Sequence, residues 1–272
     1  MKKLYFLLIT ITLFSADISN TYSIASWNIR DMGGSKDDAE IEVMANQLKT
    51  FDIVAIQEVV NGQGKGAKAI AILADKLNRK GAKWDYIVSD GTTGTSHEIE
   101  RYAYLWKTSK VTLIGRPYLE MKYANLIVRE PFVAQFKIGN EKVRLVNFHA
   151  VPQSKQPETE IKYLKFFPDL YPDETLFFVG DFNLTQEHTV FNPLKEQGYA
   201  PSLVNQKTSL KQKRLDNGDF LSKELDNIFY NTNKITFVNS GIVNFTTQFP
   251  TLKEARTISD HLPIYLEFEI RD

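Results

Sequence analysis

The chain has 272 residues, of which 43% are hydrophobic, with 33 basic and 33 acidic side chains and no cysteine. The absence of cysteine excludes disulfides, thiolate catalysis and cysteine-ligated zinc. The balanced charge lacks the basic excess typical of nucleic-acid-binding proteins, although a bound divalent cation would supply positive charge at a phosphate. A chain of this length can bury a large core. Because no repeat or linker divides residues 20–272, we expect them to form a single domain.

The N-terminus resembles a secretory signal peptide. Lys2 and Lys3 precede the apolar stretch Leu4–Phe14, which is too short to span a bilayer, and small residues follow it. We therefore predict a signal peptide over residues 1–19, cut between positions 15 and 19, and a secreted or periplasmic protein. Once the peptide is removed, we expect no stable membrane insertion. The alternative is that the stretch forms a buried first strand.

Short apolar runs rich in β-branched and aromatic residues predict eleven strands. In chain order these runs are Tyr22–Trp27, Ile53–Ile56, Trp84–Val88, Tyr102–Trp106, Val111–Leu113, Phe132–Ile138, Val143–Phe148, Leu176–Val179, Ile228–Tyr230, Ile235–Val238 and Ile264–Ile270. Helical spacing of apolar residues predicts a helix over Ile41–Phe51, with Asp37 and Asp38 before it as N-cap candidates. Two further helices are predicted over Ile70–Leu77 and Glu158–Leu170.

The order of these elements indicates the fold class. Early strands alternate with helices, whereas later strands follow one another through short turns. This order predicts an α/β (α+β) fold in which two mixed β-sheets pack face to face with the helices outside. Four loop-rich stretches are expected to form the rim of a site. They are Asp31–Lys36, Val88–Glu100, Pro152–Pro157 and Asn205–Leu221.

Acidic and amide side chains stand where predicted strands end. Glu58 and Asp181 each follow a buried run, and Gly180 allows a tight turn before Asp181. A single acid at such a position is usually a turn former, but strand alternation points Asp181 and Asn183 to the same side. Mg²⁺ prefers one or two carboxylates and several waters, so Glu58 is a candidate metal ligand. Asn28, likewise just past a strand, offers a neutral oxygen or an amide donor.

Two of the four histidines lie at junctions between strands and loops. His149 ends a predicted strand, and His261 follows Asp260 in the last loop. His97 and His188 lie in polar loops and are interpreted as surface residues. A single histidine at a junction is more often structural, but two of them alongside acids favour a chemical role. Phosphodiester hydrolysis needs a base, an acid and donors for developing charge, and imidazoles oriented by carboxylates suit the first two tasks near neutral pH.

Other catalytic motifs are absent from the sequence. It contains no Gly-x-Ser-x-Gly elbow, no Gly-x-x-x-x-Gly-Lys-Ser/Thr phosphate loop and no His-Glu-x-x-His zinc helix. The glycine-rich stretch Asn61–Gly66 matches neither phosphate-loop nor dinucleotide spacing, and we interpret it as a flexible rim loop.

Eight short segments, taken in order, match the pattern of a known family. They are Trp27–Arg30, Ile56–Val59, Glu100–Tyr104, Arg129–Phe132, Asn147–His149, Gly180–Asn183, Leu225–Asn227 and Ser259–Pro263. Together they resemble the endonuclease/exonuclease/phosphatase superfamily, and the segments at Glu100 and Arg129 favour its deoxyribonuclease I-like branch. The resemblance runs from Ser23 to Phe268. It implies a four-layer α/β sandwich with a site where the loops of the two sheets meet.

The resemblance also implies a metal site and residues that position the reactants. Glu58 would bind the catalytic Mg²⁺, with Asn28 and Asp260 near the metal or its waters. Asp181 and Asn183 would position the attacking water and the scissile phosphate. Mn²⁺ is a candidate substitute for Mg²⁺, and Ca²⁺ is a candidate structural ion.

The same resemblance assigns roles to the two junction histidines. His149 and His261 would form an imidazole pair, one acting as base or transition-state donor and the other assisting the leaving group. Glu100 would orient His149, and Asp226 would orient His261. Arginines would hold the phosphate oxygens through charge-assisted hydrogen bonds. The candidate arginines are Arg129, Arg30 and Arg101.

The function expected from these residues is a secreted, Mg²⁺-dependent phosphodiesterase, namely a monomeric, nonspecific DNA endonuclease. Two positions depart from the deoxyribonuclease branch, because Val60 replaces a groove-binding arginine and Glu98 replaces a tyrosine that packs on the sugar. These departures leave open RNA or a phospholipid headgroup as the substrate. A protein that acts on the headgroup would be a secreted sphingomyelinase or phosphoinositide phosphatase on the same fold. A third alternative is a catalytically inactive binding module.

A basic run in the loop Asn205–Leu221 has two interpretations. The run either contacts a nucleic-acid strand or forms a solvated charged loop. Its members are Lys207, Lys211, Lys213 and Arg214.

Overall fold

Two six-stranded mixed β-sheets form the framework of the computed structural model, which describes residues 21–94, 99–172 and 174–271. The strands are β1 (Thr21–Met32), β2 (Ile53–Val60), β3 (Trp84–Val88), β4 (Glu100–Lys107), β5 (Val111–Leu119), β6 (Phe132–Ile138), β7 (Glu141–His149), β8 (Thr175–Asp181), β9 (Tyr199–Pro201), β10 (Asp226–Asn231), β11 (Ile235–Ile242) and β12 (Ile264–Ile270). The first sheet has the order β11-β12-β1-β2-β4-β3, and the second has the order β5-β6-β7-β8-β10-β9. Strands β1 and β2 run parallel, as do β7 and β8, and the other neighbours run antiparallel.

Helices cover the outer face of each sheet. They are α1 (Asp38–Leu48), α2 (Lys65–Asn78), α3 (Glu158–Ile161), α4 (Phe167–Leu170), α5 (Asn192–Glu196) and α6 (Leu252–Ile258). Apolar residues of α1, α2 and α6 pack on the first sheet, and those of α3, α4 and α5 pack on the second. A third apolar cluster fills the space between the sheets. These layers confirm the predicted α/β sandwich, and burial of their apolar faces is the main force that holds them together.

The predicted start of the first helix has the expected cap. The Asp37 carboxylate accepts a hydrogen bond from the backbone N–H of Glu40 at 2.8 Å, and the Glu40 carboxylate accepts one from the N–H of Asp37 at 2.9 Å. This reciprocal capping box satisfies two backbone donors that have no partner within the helix. Asp38 is the first helical residue rather than the cap.

The third predicted helix is interrupted, so the prediction of one helix over Glu158–Leu170 is wrong. Helix α3 ends at Ile161, a 3₁₀ turn spans Leu164–Phe166, and α4 begins at Phe167. Pro168 has no backbone N–H to donate to the carbonyl oxygen of Leu164, so the hydrogen bonds of one continuous helix could not run through this point. Proline is tolerated in the first turn of a helix, and there it stands in α4.

The glycine-rich stretch Asn61–Gly66 is not a loop throughout, which corrects the sequence interpretation. Gly62–Gly64 forms a 3₁₀ turn, and α2 begins at Lys65. A Cβ at Gly66 would lie 2.3 Å from the carbonyl oxygen of Val60, so glycine permits the helix to start against the end of β2. The apolar periodicity predicts α2 only from Ile70, because a glycine has no side chain that could extend an apolar pattern into the first turn.

Irregular backbone at the end of β2 directs a side chain out of the sheet. Glu58 has φ 59°, and the register between β2 and β4 shifts between Ile56 and Val59. A positive φ is unfavourable for a residue with a Cβ atom, so the surrounding structure must hold it. Such bulges commonly re-aim a side chain beside an active site.

A buried pair of amides joins the two sheets behind this bulge. Gln57 Nε2 donates to Asn147 Oδ1 at 2.6 Å, and Asn147 Nδ2 donates to the carbonyl oxygen of Ile56 at 3.1 Å. Both side chains are fully buried. Because buried polar groups need partners, this pair fixes how the ends of β2 and β7 face each other.

Two sequence predictions concern residues outside the described part of the chain. They are the signal peptide over residues 1–19 and the positions of His97 and Glu98. Within the described ranges, no helix is both long enough and apolar enough to cross a membrane.

Candidate active site

Three neighbouring strands of the second sheet place three candidate residues side by side. His149 in β7 lies opposite Asp181 in β8, and Asp181 lies opposite Asp226 in β10. Gly180 allows β8 to approach β7 closely enough for this arrangement. It has φ 139°, and a Cβ there would lie 1.9 Å from the carbonyl oxygen of Phe148. Glycine is therefore required where β8 passes closest to β7, one residue before the aspartate.

His149 is held by Glu100 and faces Asp181. Its Nδ1 lies 3.0 Å from each carboxylate oxygen of Glu100, and its Nε2 lies 3.5 Å from Asp181 Oδ2. Arg129 Nη1 lies 3.6 Å from the same Glu100 carboxylate and donates to the carbonyl oxygens of His149 and Ala150. Glu100, which comes from the first sheet, thus orients an imidazole and a guanidinium on the second.

His261 is arranged in the same way on the other side of Asp181. Its Nδ1 lies 2.8 Å from Asp226 Oδ2, and its Nε2 lies 3.8 Å from Asp181 Oδ2. The same Asp226 oxygen accepts a hydrogen bond from Thr208 Oγ1 at 2.6 Å. Two imidazoles, each bound through Nδ1 to its own carboxylate, therefore direct their Nε2 atoms at one buried aspartate.

The carboxylates raise the pKa of both histidines. Burial alone lowers the pKa of His149, but the charge and hydrogen bond of Glu100 and the charge of Asp181 outweigh burial, so the pKa is raised. Burial likewise opposes protonation of His261, yet Asp226 and Asp181 raise its pKa to about 10. The pKa of Asp181 is also raised, because burial and the charge of Asp226 outweigh the two imidazoles. Near neutral pH the His261 ring is protonated, the raised pKa of His149 favours its protonated form, and Asp181 has an increased affinity for a proton.

One amide connects the two sheets at the floor of the site. Asn28 Nδ2 in β1 donates to Glu58 Oε1 at 2.9 Å and to Asp181 Oδ2 at 3.1 Å. Because ionised carboxylates only accept hydrogen bonds, the amide nitrogen must face them. Asn28 is 1% exposed, and its Oδ1 has no hydrogen-bond partner among the described residues. A buried acceptor without a donor is costly, and a cation or its bound water would satisfy this one.

A cavity of about 580 Å³ opens onto these residues. Glu58 is only partly buried and lines the cavity, together with Arg129 and His149. The cavity therefore presents a carboxylate, a guanidinium and an imidazole to a ligand. Its remaining lining residues are Asp31, Val59, Val60, Asn61, Gly62, Ile99 and Glu100.

Two groups of side chains are candidates for holding a metal ion. Glu58 offers a carboxylate to the cavity beside Asn28, and such oxygen ligands with room for waters suit Mg²⁺. Asp181, Asp226 and His261 form a second group, whose ligand atoms lie within 4.8 Å of one another. The second group is buried, its histidine is protonated near neutral pH, and metal ligation requires neutral imidazole. Glu58 and Asn28 therefore fit Mg²⁺ better.

Asp260 forms an ion pair with an arginine outside the pair of Glu58 and Asn28. The Asp260 carboxylate lies 3.1 Å from Arg256 Nη2, four residues earlier in the chain. No contact among the described residues joins it to Glu58 or Asn28. Asn183, by contrast, lies beside Asp181, because its backbone N–H donates to Asp181 Oδ1 at 2.8 Å.

The three candidate arginines have different surroundings. Arg129 is 7% exposed and lies beside Glu100 and His149, with its Nε unpartnered among the described residues. Arg30 has a half-exposed side chain, which lies 3.6 Å from Asp31 at the cavity rim. Arg101 donates to Asn61 Oδ1 at 2.8 Å and to a backbone carbonyl, so its guanidinium is engaged within the fold.

Three residues with no assigned role from the sequence hold the His261 side of the site. Thr208 bonds Asp226, Ser259 Oγ accepts the backbone N–H of His261 at 3.0 Å, and Trp27 Nε1 donates to the His261 carbonyl oxygen at 2.8 Å. Ser259 and Trp27 flank motif residues and could have been singled out. Thr208 lies in an aperiodic loop, and no sequence signal marks it.

The four layers, with a polar site at the loop ends of both sheets, define an α/β sandwich of the nuclease and phosphatase type. The model of the Endonuclease/Exonuclease/phosphatase family matches residues 25–261, and the chain belongs to this family. The resemblance read from the sequence motifs is thereby confirmed.

Known relatives of the chain include deoxyribonucleases. One from Thioalkalivibrio sp. (strain K90mix) is 28% identical over an alignment that covers 97% of this chain and 75% of the relative. Deoxyribonuclease-1-like 1 from Sus scrofa is 26% identical, with 96% of this chain and 85% of the relative covered. A solved endonuclease/exonuclease/phosphatase family protein from Bacteroides thetaiotaomicron superposes with a TM-score of 0.67 at 17% identity, covering 93% of this chain and 98% of that one. This superposition shows a shared fold.

Proposed function

We propose that the protein is a secreted, Mg²⁺-dependent phosphodiesterase that hydrolyses DNA as an endonuclease. The observation that carries the proposal is the convergence of His149 and His261 on Asp181, at 3.5 Å and 3.8 Å. The relatives named deoxyribonuclease support DNA as the substrate. The apolar stretch after Lys2 and Lys3 supports secretion.

The arrangement of the buried groups supports hydrolysis by a water molecule. Asp181 would accept a proton from the attacking water, since its pKa is raised by burial and by Asp226. The Nε2–H groups of His149 and His261 would donate to phosphate oxygens, one of them passing its proton to the leaving oxygen. The backbone N–H of Asn183 holds Asp181 in place. One proton is taken from water and one is returned to the leaving group, so the step balances.

Cations beside the cavity would stabilise the negative charge that develops on the phosphoryl oxygens. Arg129 provides a fixed guanidinium, oriented by Glu100 at 3.6 Å. Glu58 and Asn28 are the residues that would hold Mg²⁺. When bound, the ion would supply Lewis-acid stabilisation to the phosphate oxygens.

A substrate panel tests this function. Purified protein is incubated with supercoiled plasmid, single-stranded DNA, RNA or sphingomyelin, each with Mg²⁺ and then with chelator. Plasmid nicking that is lost with chelator, and that falls at least about 100-fold in His149→Ala, would support the proposal. His188→Ala is the matched control, because His188 is exposed and the one hydrogen bond of its ring to a described residue is donated by the Val190 backbone N–H.

Two outcomes of the panel would contradict a nuclease. Release of the headgroup without nicking would identify a lipid phosphodiesterase, an outcome to which Val60 in the cavity wall lends weight. No turnover of any substrate would identify a binding module that has kept the site without the reaction.

A further inference from the structure

A groove near His261 combines a concave shape with positive charge. The groove has a volume of about 310 Å³ and lies between the hairpin Ser209–Ser222 and the segment Thr246–Lys253. Lys213 and Arg214 line it from the hairpin, and Lys253 lines it from the opposite segment. We call this feature the basic groove.

The cations of the basic groove form no ion pair with a carboxylate of the described residues, and Asp216 lines the neighbouring cavity together with Lys213 and Arg214. Lys213 and Lys253 are exposed, and neither forms an ion pair with any described residue. The Arg214 guanidinium stacks over the Phe220 ring at 4.7 Å and donates to the Gly218 carbonyl oxygen at 3.0 Å. These contacts orient the guanidinium without neutralising it. Three cations without an ion-pair partner among the described residues therefore line one groove of a chain with 33 basic and 33 acidic residues.

The other half of the basic run in this loop shares the carboxylate of Asp219. Lys211 Nζ lies 3.2 Å from Asp219 and donates to the Leu221 carbonyl oxygen at 2.6 Å. Lys207 Nζ lies 3.9 Å from the same carboxylate. Lys207 and Lys211 therefore make contacts within the hairpin, whereas Lys213 and Arg214 are free to bind an anion.

Both walls of the basic groove are attached to His261. Ser209, at the base of the hairpin, pairs with His261 in an isolated bridge. Phe245, at the base of the other wall, packs on Trp27 at 5.4 Å between ring centroids, and Trp27 donates to the His261 carbonyl oxygen. Four extended residues from Ser209 to Lys213 span at most about 13 Å. That span corresponds to at most about four nucleotides of one strand, measured along the axis of a duplex.

We propose that the basic groove binds the sugar-phosphate backbone of the substrate strand, a few nucleotides from the bond that is cleaved. Lysine and arginine are the side chains that neutralise phosphates along a strand. Such contacts position a nucleic acid without reading its sequence, as a nonspecific enzyme requires. The inference rests on the proposed function, because it takes the phosphate at His261 as the point of cleavage.

Two triple variants with the same loss of charge test the inference. The groove variant is Lys213→Gln/Arg214→Gln/Lys253→Gln, and the control variant is Lys83→Gln/Lys137→Gln/Lys142→Gln. The control lysines are exposed and stand at the opposite ends of the strands, since β7 begins next to Lys142 and ends at the site with His149. Values of kcat and KM are measured separately between 50 and 200 mM NaCl on a labelled 30-nucleotide DNA, on the matching RNA and on bis(p-nitrophenyl) phosphate.

The groove variant should lose affinity for long strands only. At 150 mM NaCl we expect its KM for the 30-nucleotide substrates to rise about tenfold, and its salt slope to become shallower by about 2, from three contacts at about 0.7 each on a single strand. Turnover of bis(p-nitrophenyl) phosphate should equal that of the unmodified protein. The control variant should keep the original KM and salt slope.

Equal KM values and salt slopes in the two triple variants would overturn the inference and leave the proposed function intact. If no polynucleotide is cleaved at all, the proposed function fails separately. The groove is then tested by fluorescence anisotropy of the labelled strands. Weaker binding of the strands by the groove variant than by the control variant supports the inference, and equal binding refutes it.

Discussion

Glu58 and Asp181 come from different sheets and accept hydrogen bonds from the same amide nitrogen, that of Asn28, at 2.9 Å and 3.1 Å. The two carboxylates have different environments. Glu58 lines the open cavity, whereas Asp181 is 1% exposed and its pKa is raised by burial and by Asp226. The environment of Glu58 suits a metal ligand and that of Asp181 suits a proton acceptor, so we expect the two carboxylates to have different roles.

Removal of the shared amide should impair both carboxylates together. Asn28→Ala leaves Asp181 Oδ2 without its donor, and we expect a loss of roughly 1–3 kcal/mol in the free energy of unfolding. We also expect kcat/KM on DNA to fall about 100-fold, because small displacements of reacting groups have effects of that size. Chemical denaturation and steady-state kinetics measure the two effects. Unchanged kinetics in a stably folded variant would remove Asn28 from the account.

Metal affinity should depend on Glu58 and much less on Asp260. Glu58→Gln replaces a charged ligand by a neutral one, and we expect the half-saturating Mg²⁺ concentration to rise at least about tenfold. Asp260→Asn should change it little, because the Asp260 carboxylate pairs with Arg256 at 3.1 Å. Activity titrated against Mg²⁺ compares the variants. The reverse order would place the metal nearer to Asp260, as the family resemblance implies for that residue.

The pair of His261 and Asp226 should be essential for turnover. Asp226→Asn removes the charge that orients His261 and favours its protonated form, and we expect kcat to fall by roughly 10²–10⁴. Thr208→Val removes the hydroxyl that donates to Asp226 at 2.6 Å and accepts the backbone N–H groups of Leu225 and Asp226, but it keeps the Asp226 charge, so the fall should be smaller. Single-turnover kinetics measure both. A Thr208→Val variant as slow as Asp226→Asn would show that position of the carboxylate matters more than its charge.

The pair of His261 and Asp226 should make the free energy of unfolding decrease as pH rises into the alkaline range. The pKa of His261 in the folded protein is about 10, above its usual value of 6.5, so the folded state binds this proton more tightly. The stabilisation is therefore complete below about pH 6.5 and is lost as pH rises towards 10. We expect the difference in unfolding free energy between the unmodified protein and His261→Gln, measured in chelator, to shrink from pH 7 to pH 10. His188→Gln is the control, and a pH-independent difference for His261→Gln would contradict the assigned pairing.

The sequence predicted the architecture more completely than the contacts of the site. Strand periodicity and motif order predicted the sandwich of two sheets but missed β9, because its three residues Tyr199–Pro201 are too few to show an alternation. The predicted strand at Ile53–Ile56 stopped short of Glu58, because the bulge there depends on tertiary contacts that hold a positive φ. Periodicity also overlooked the effect of Pro168 on the third helix.

Partners across long stretches of sequence could be anticipated only through the family pattern. The pairing of His149 with Glu100 and of His261 with Asp226 is present in the structure at 3.0 Å and 2.8 Å. The ion pair of Asp260 with Arg256 could not be foreseen, because helix α6 around Arg256 was not predicted. Neither could the division of the basic run by Asp219, which depends on how the hairpin folds.

The most direct test of phosphodiester hydrolysis by water uses isotopically labelled solvent. A defined DNA strand is cleaved in ¹⁸O-labelled water with Mg²⁺ under single-turnover conditions, and the product ends are analysed by mass spectrometry. We expect one ¹⁸O atom on the new terminal phosphate at each cleaved bond, and no cleavage on this time scale by His149→Ala or His261→Ala. Products without solvent oxygen, or full cleavage by either variant, would contradict attack by water at a site built on His149, Asp181 and His261.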